Sequence, residues 1–252
     1  MEKETKSRGE FLPISRAGDM TPGEPKRDVG TLSDRAYAIL EEAIIRGTLA
    51  PGARIKEPVL AAEFGISRGS LREAIRRLEG KRLLVRTPRH GVRVSTLSAP
   101  QVLEIYELRE ALEGMACRLA TEHLSDAQVE QLQALLNEHR DSGSVGESGY
   151  FQSAGDPDFH FFIAKSSGNK RLEELLCGEL YHLLRIYRFS SSTTPGRSAS
   201  AFVEHTKIVE AIRRRDADEA ERLMRYHIRR SRENFQRNAL GIISAEHEGF
   251  QH

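Results

Sequence analysis

From Thr31 onward the apolar residues recur at intervals of three and four, the spacing of helices that bury one face. Ala36, Ile39, Leu40, Ala43 and Ile44 mark a first helix, with Ser33 placed to cap it and Gly47 to stop it. Pro51 and Gly52 make a turn, and Arg54-Ile55-Lys56 reads as a short strand. A short helix is expected over Pro58–Phe64, then a turn at Gly65. A second helix starts at Ser67, where Leu71, Ala74, Ile75 and Leu78 share a face, and ends at Gly80. Two short strands, Leu83–Arg86 and Val92–Ser95, are joined by Thr87-Pro88-Arg89-His90-Gly91. Two helices across a tight turn and then a hairpin predict a winged helix-turn-helix, with Arg54-Ile55-Lys56 pairing to the wing.

Leu97 to Gln101 links this unit to a second one. Ser98 and Gln101 have capping-box spacing with Pro100 in the first turn, and Ser125 and Gln128 repeat it. Ile105, Leu108, Leu112, Met115 and Leu119 define a long helix; Val129, Leu132, Leu135 and Leu136 define the next. Residues 141–155 form a Gly/Ser-rich loop. Helices are then predicted over 157–166, over 172–189 with Asn169 as cap, over 201–215, and from Asp216 to Leu240. The fold class is therefore mainly α: an N-terminal winged helix-turn-helix with a small β-wing, and a C-terminal all-α antiparallel helical bundle. The domain boundaries fall at 31–96 and 97–240, between a flexible tail at 1–30 and a C-terminal tail at 241–252.

Charge sharpens the first half of this picture. At 252 residues the chain can bury two cores. Its net charge of +1 is divided unevenly: residues 31–96 hold 13 Lys or Arg against 7 Asp or Glu, and residues 97–252 hold 19 against 24. Arg68, Arg72 and Arg76 recur every fourth residue opposite the apolar face of their helix, so their guanidinium groups project together. A cationic helix beside a basic wing suits double-stranded DNA. Arg68 and Arg72 are placed to reach base edges or phosphates, with Ser67 and Ser70 supporting from the helix N-terminus. His90 and Gly91 stand at the wing tip, near the minor groove. Residues 1–30 hold six basic and six acidic side chains, three Pro and four Gly, without an apolar period. No apolar run is long enough to span a membrane, no signal-peptide core opens the chain, and Cys117 and Cys177 lie in helical patterns. A soluble, cytoplasmic protein without a membrane partner is expected.

Polar groups interrupt the bundle stripes at three places. Asp156 and His160 are four apart at the start of a helix; His205 sits among Phe202, Val209 and Ile212; His227 sits among Ala220, Met224 and Ser231. One histidine on an apolar stripe is ordinarily a hydrogen-bonded core residue. Three helices each offering an imidazole, one with a carboxylate besides, also suit a divalent ion such as zinc, nickel or manganese with positions left for a ligand. Spacing alone leaves both readings open. Arg109 likewise reads either as an i,i+4 partner of Glu113 or as a guanidinium gripping the carboxylate of a small organic acid.

The run GISRGSLREAIRRLEGKRLL and the Gly-containing wing resemble the DNA-binding domain of the GntR family of bacterial transcriptional regulators. The carrying residues are Gly65, Ser67-Arg68, Leu71-Arg72-Glu73-Ala74, Arg77-Leu78-Glu79 and Gly91; Pro58 stands where some members have a base-contacting Arg. The segments DPDFHFFIAKSSGN, EHTKIVEAIRRRDADEA and MRYHI resemble the FCD-type effector domain of one branch of that family, in its six-helix version. The resemblance implies metal ligation by Asp156, His160, His205 and His227, and an acid-gripping role for Arg109. It implies a ligand-responsive regulator, read as a repressor, that binds a palindromic operator as a homodimer under the control of a small carboxylate metabolite. The rival is a metal-dependent hydrolase fused to a DNA-binding module. Against it, the chain has neither a P-loop nor a nucleophile elbow, and no evident general base beside the ligands.

Overall fold

The computed structural model describes residues 30–140, 158–180, 182–186, 194 and 196–248. Residues 1–29 of the expected N-terminal tail, the loop 141–155, and 190–193 and 195 of the expected linker lie outside them.

Helix α1 is Leu32–Ile45, capped by Thr31 and not by the expected Ser33. Thr31 Oγ accepts from the Asp34 backbone N–H at 3.2 Å, and Asp34 Oδ2 accepts the Thr31 N–H at 2.8 Å. This reciprocal pair places Ser33 inside the first turn. The Arg77 guanidinium and Thr31 hold the Asp34 carboxyl down to about 2. Helix α2 is Glu57–Glu63 with Pro58 in its first turn, and α3 is Arg68–Gly80, capped by Ser67. Strands β1 (Leu84–Thr87) and β2 (Gly91–Val94) pair antiparallel, Leu84 opposite Val94 and Thr87 opposite Gly91. They are offset by one residue from the expected bounds, because Gly91 at φ +79° lets the chain leave the turn and enter β2 directly. Arg54 bridges to Arg93, with Ile55 N–H on Val92 O and Val94 N–H on Ala53 O, both at 2.9 Å, so the expected third segment does join the wing. Leu40, Ile55, Leu60, Leu71, Ile75, Leu78, Leu83 and Val92 form the core of this unit.

The second unit holds α4 (Ala99–His123), α5 (Asp126–His139), α6 (Phe159–Ser166), α7 (Lys170–Glu174), α8 (Arg197–Arg213) and α9 (Ala217–Glu248). The capping boxes of Ser98 with Gln101 and Ser125 with Gln128 form as expected. The helix expected over 172–189 is interrupted: α7 runs into a π-helical turn, Leu175–Glu179, closed by Leu180 N–H on Leu175 O at 2.9 Å. One extra residue in a turn rotates every side chain after it, which re-aims residues 182–186 toward α1. Helix α8 begins earlier than expected, and α9 continues past Leu240 into the stretch read as a tail.

Ion pairs set the directions. Arg118 meets Asp218 and Glu221, Arg229 meets Glu110, and Arg232 meets Glu107, so α9 runs antiparallel to α4. Arg213 meets Glu130 while Arg140 lies over the Phe202 ring, so α8 runs antiparallel to α5. Tyr106, Cys117, Ala120, Leu132, Ile163, Val209, Ile212, Met224 and Ile228 fill the space between. Burial pushes the Cys117 thiol upward, which keeps it protonated and inert. The leucine stripe of α4 does not face this core: Leu108 is 51% and Met115 39% exposed. Among the described residues no helix is long and apolar enough to cross a membrane.

Candidate functional site

The two sets of candidate residues fall in different units of the chain. On α3 the Ser67 cap accepts from the Ser70 N–H at 3.1 Å, and the two hydroxyls lie 3.0 Å apart at the helix N-terminus. Arg68, Arg72 and Arg76 are all exposed on the face opposite Leu71, Ala74, Ile75 and Leu78. Arg72 Nε donates to Glu57 Oε2 at 2.9 Å. That exposed contact holds the guanidinium beside the helix start at little energetic cost, and a phosphate or base edge can replace it. Glu57 was not legible as its partner because it lies on the preceding helix. His90 is exposed beyond Arg89, whose φ of 65° makes the turn, and Gly91 backs onto Arg54.

In the bundle, His160 of α6, His205 of α8 and His227 of α9 converge, their ligating nitrogens all within 4.8 Å of one another. His205 Nε2 lies 3.2 Å from His227 Nε2, and the Phe159 ring stacks on His205 at 4.2 Å between centroids. Asp156, the fourth expected ligand, lies outside the described residues. Asp158, two residues on, caps α6 by accepting from the His160 and Phe161 N–H groups at 2.8 and 3.0 Å. That cap fixes where His160 leaves the backbone.

Each buried imidazole has a carboxylate behind it. His227 Nδ1 donates to Glu204 Oε2 at 2.6 Å, and His160 Nδ1 lies 2.7 Å from Glu113 Oε2. A carboxylate accepts only, so a neutral ring held in this way keeps a bare Nε2. Burial, then the charges of His160, Arg197 and Arg109, hold His227 well below the ordinary histidine range, with Glu113 opposing; the ring is neutral. Burial raises the Glu204 carboxyl, against the lowering effect of Arg197. Three imidazoles, two of them backed by carboxylates, offer the donor set of a first-row divalent ion. The His205–His227 separation of 3.2 Å matches the roughly 3.3 Å between two nitrogens on one tetrahedral zinc.

Arg109 is 1% exposed, and its Nε donates to Glu113 Oε1 at 2.8 Å. Of its two expected readings the structure shows the pairing to Glu113, and the pair is buried. Glu113 therefore bridges Arg109 and His160. Sequence reading paired Glu113 with Arg109 but not with His160, and passed over Glu204, one acid among many on a charged helix. It also passed over Arg197, which lies at the N-terminus of α8 in a stretch that reads as linker.

Comparison with known proteins places both units. Residues 32–94 match the profile of bacterial regulatory proteins of the gntR family, and residues 104–230 match the FCD domain. The chain is 31% identical over 193 residues to the uncharacterized HTH-type transcriptional regulator YdhC of Bacillus subtilis, spanning 76% of this chain and 85% of that protein. It is 28% identical to the probable D-xylose utilization operon transcriptional repressor of Paenarthrobacter nicotinovorans, spanning 77% of this chain and 83% of that one. The structure of E. coli McbR/YncC superposes with a TM-score of 0.65 at 21% identity, covering 84% of this chain and 100% of that one, and so shares its fold.

Proposed function

Because this chain belongs to the GntR family of bacterial transcriptional regulators and carries an FCD domain, we propose that its DNA affinity is set by a small carboxylate held at a divalent metal in the bundle. DNA binding and regulation of transcription come with the family; the chain is a regulator, not an enzyme. The single observation that carries the finer reading is the convergence of three imidazoles, two of them braced by carboxylates, inside a bundle that needs no polar centre to fold. His160, His205 and His227 would hold the ion through Nε2, with Asp156 as the fourth ligand. Bound there, a zinc, nickel or manganese ion supplies Lewis acidity toward a carboxylate oxygen. Glu113 and Glu204 fix the rings, and Arg109 takes the second oxygen of the acid through the nitrogens not bonded to Glu113.

The exposed stripe on α4 supports a homodimer. Leu108 and Met115 stand outward with Leu112 and Leu119 half-buried beside them, a seam at intervals of four, three and four that a second copy would cover. Two heads then read a palindromic operator, the effector acting by favouring one arrangement of the heads over another, with repression as the default output. At each half-site Arg68 and Arg72 reach the major groove, Ser67 and Ser70 take phosphates, and His90 and Gly91 enter the minor groove.

Two measurements test this. Arg72→Ala is expected to weaken binding to a selected operator by about 1–3 kcal/mol and to relax one base position; fluorescence anisotropy that gives equal affinity for both proteins would remove Arg72 from base reading. A panel of organic acids should raise the melting temperature only without chelator. Stabilisation that survives chelation would argue against metal-held carboxylate.

A further inference from the structure

Arg197 is 8% exposed, yet the described residues occupy only one of its three guanidinium nitrogens. Nη2 donates to Glu204 Oε2 at 2.9 Å and to Ser231 Oγ at 2.9 Å, and lies 3.3 Å from His227 Nδ1. Nε and Nη1 are buried without a hydrogen-bond partner among the described residues. Three of the five N–H donors of a guanidinium are thus out of water and unmatched, a costly state for a folded protein to keep unless something else accepts from them.

The surroundings say what that would be. His227, Ser231 and Asn234 follow one another at intervals of four and three on α9, and all three are buried. The inward face of α9 therefore stays polar for two turns beyond the histidine cluster, where a plain bundle would carry leucine. Ser231 lies about 6 Å along the helix axis from His227, and Arg197 from α8 meets it there. His227 thus has two polar sides: His205 faces its Nε2, while Glu204 and the under-used cation Arg197, with Ser231, stand at its Nδ1.

We propose that Arg197 receives a second carboxylate of the effector, so that the chamber selects short dicarboxylic acids over monocarboxylic ones. This rests on the reading that the first carboxylate is held at the metal. Glu204 then has two roles, orienting His227 and holding Arg197 by Nη2 so that its other nitrogens stay available. Its contact with both Arg197 and His227 joins occupancy of the anchor to the geometry of a metal ligand.

The test compares succinate with butyrate, the same carbon chain with one acid group fewer, by titration calorimetry on the zinc-loaded full chain. Wild type is expected to prefer succinate by on the order of ten- to a hundredfold, the contribution of a charge-assisted contact. Arg197→Gln should bring succinate down to the butyrate affinity without changing butyrate, and Arg197→Lys should restore part of the preference. Zinc content by elemental analysis should be the same in all three proteins. Equal affinity of wild type for the two acids, or a succinate preference that persists in Arg197→Gln, would overturn this inference and leave metal-held carboxylate standing. Loss of zinc from both variants would make Arg197 a support for His227 and overturn it too. If neither acid binds zinc-loaded wild type, the metal-held carboxylate itself fails.

Discussion

Replacing His205 and His227 together by alanine is expected to leave the chain without a stoichiometric divalent ion and to abolish the metal-dependent part of its thermal stability. The size follows from mass action: a metal present at 100 to 1,000 times its dissociation constant stabilises the native state by about 2.7–4.1 kcal/mol. The geometry says why two of the three rings suffice to show it. His227 is neutral and its Nδ1 is committed to Glu204, so the Nε2 lone pair faces His205 at 3.2 Å. Without metal this contact is an imidazole–imidazole hydrogen bond, and removing both rings costs that bond, the stacking of Phe159 on His205 and the His227–Glu204 contact, none of which depends on a metal. A purely structural role therefore predicts a double variant that is less stable by the same amount with and without chelator. A ligand role predicts that chelator lowers the wild-type melting temperature to near that of the variant, while the variant is indifferent. Full metal content in the variant by elemental analysis would refute the ligand set.

What could be read in advance divides by the range of the interaction. The capping boxes at Ser98–Gln101 and Ser125–Gln128 were legible because both partners lie within one turn, and so was the alternation of the Leu71–Leu78 face with the Arg68–Arg76 face. At the first helix two hydroxyls compete within three residues, and only the reciprocal acid at Asp34 decides for Thr31. Periodicity found the α4 stripe but could not say whether the same chain or another covers it; Leu108 and Met115 face out, while Arg109 and Glu113 face in. The three histidines were legible as interruptions of apolar stripes. Their carboxylate braces were not, since Glu113 and Glu204 differ from their neighbours only in what the fold sets opposite them. The place of His182 was equally hidden. Its partner is on α1, and the π turn that aims it there leaves no mark in spacing.

That contact yields the second large effect. Glu41 of α1 is buried; its Oε1 accepts from Tyr37 Oη at 2.8 Å and lies 2.9 Å from His182 Nδ1, while Oε2 accepts from Arg185 Nη1 at 3.2 Å. Ile186 packs into the core of the DNA-binding unit beside them, so this is where the bundle grips the head. Tyr37 in turn lies under Arg77 of α3, 4.4 Å from ring centroid to guanidinium, so the grip reaches the reading helix itself. Glu41→Gln keeps the shape but removes the charge facing Arg185, and is expected to cost about 3 kcal/mol, the scale of a broken buried pair. Burial raises the Glu41 carboxyl, but the hydrogen bonds from His182 and Tyr37 and the Arg185 charge outweigh it, so its folded value is lowered. A lowered acid contributes stability that is complete above the unfolded value of 4.5 and is lost as pH falls through the folded one. Melting curves should therefore separate wild type from Glu41→Gln at neutral pH and draw together once the pH drops below that value. A gap that stays constant down the acid limb would mean that the Glu41 charge does not hold the joint. With the joint loosened and the histidine cluster untouched, the variant should still bind metal and operator, but an acid in the chamber should no longer change its grip on DNA. A ligand in the bundle can move the head only through contacts that differ between two arrangements. Among the described residues this buried carboxylate, with Ile186 packed beside it, ties α1 to the segment behind the π turn, and Tyr37 carries the tie on to α3.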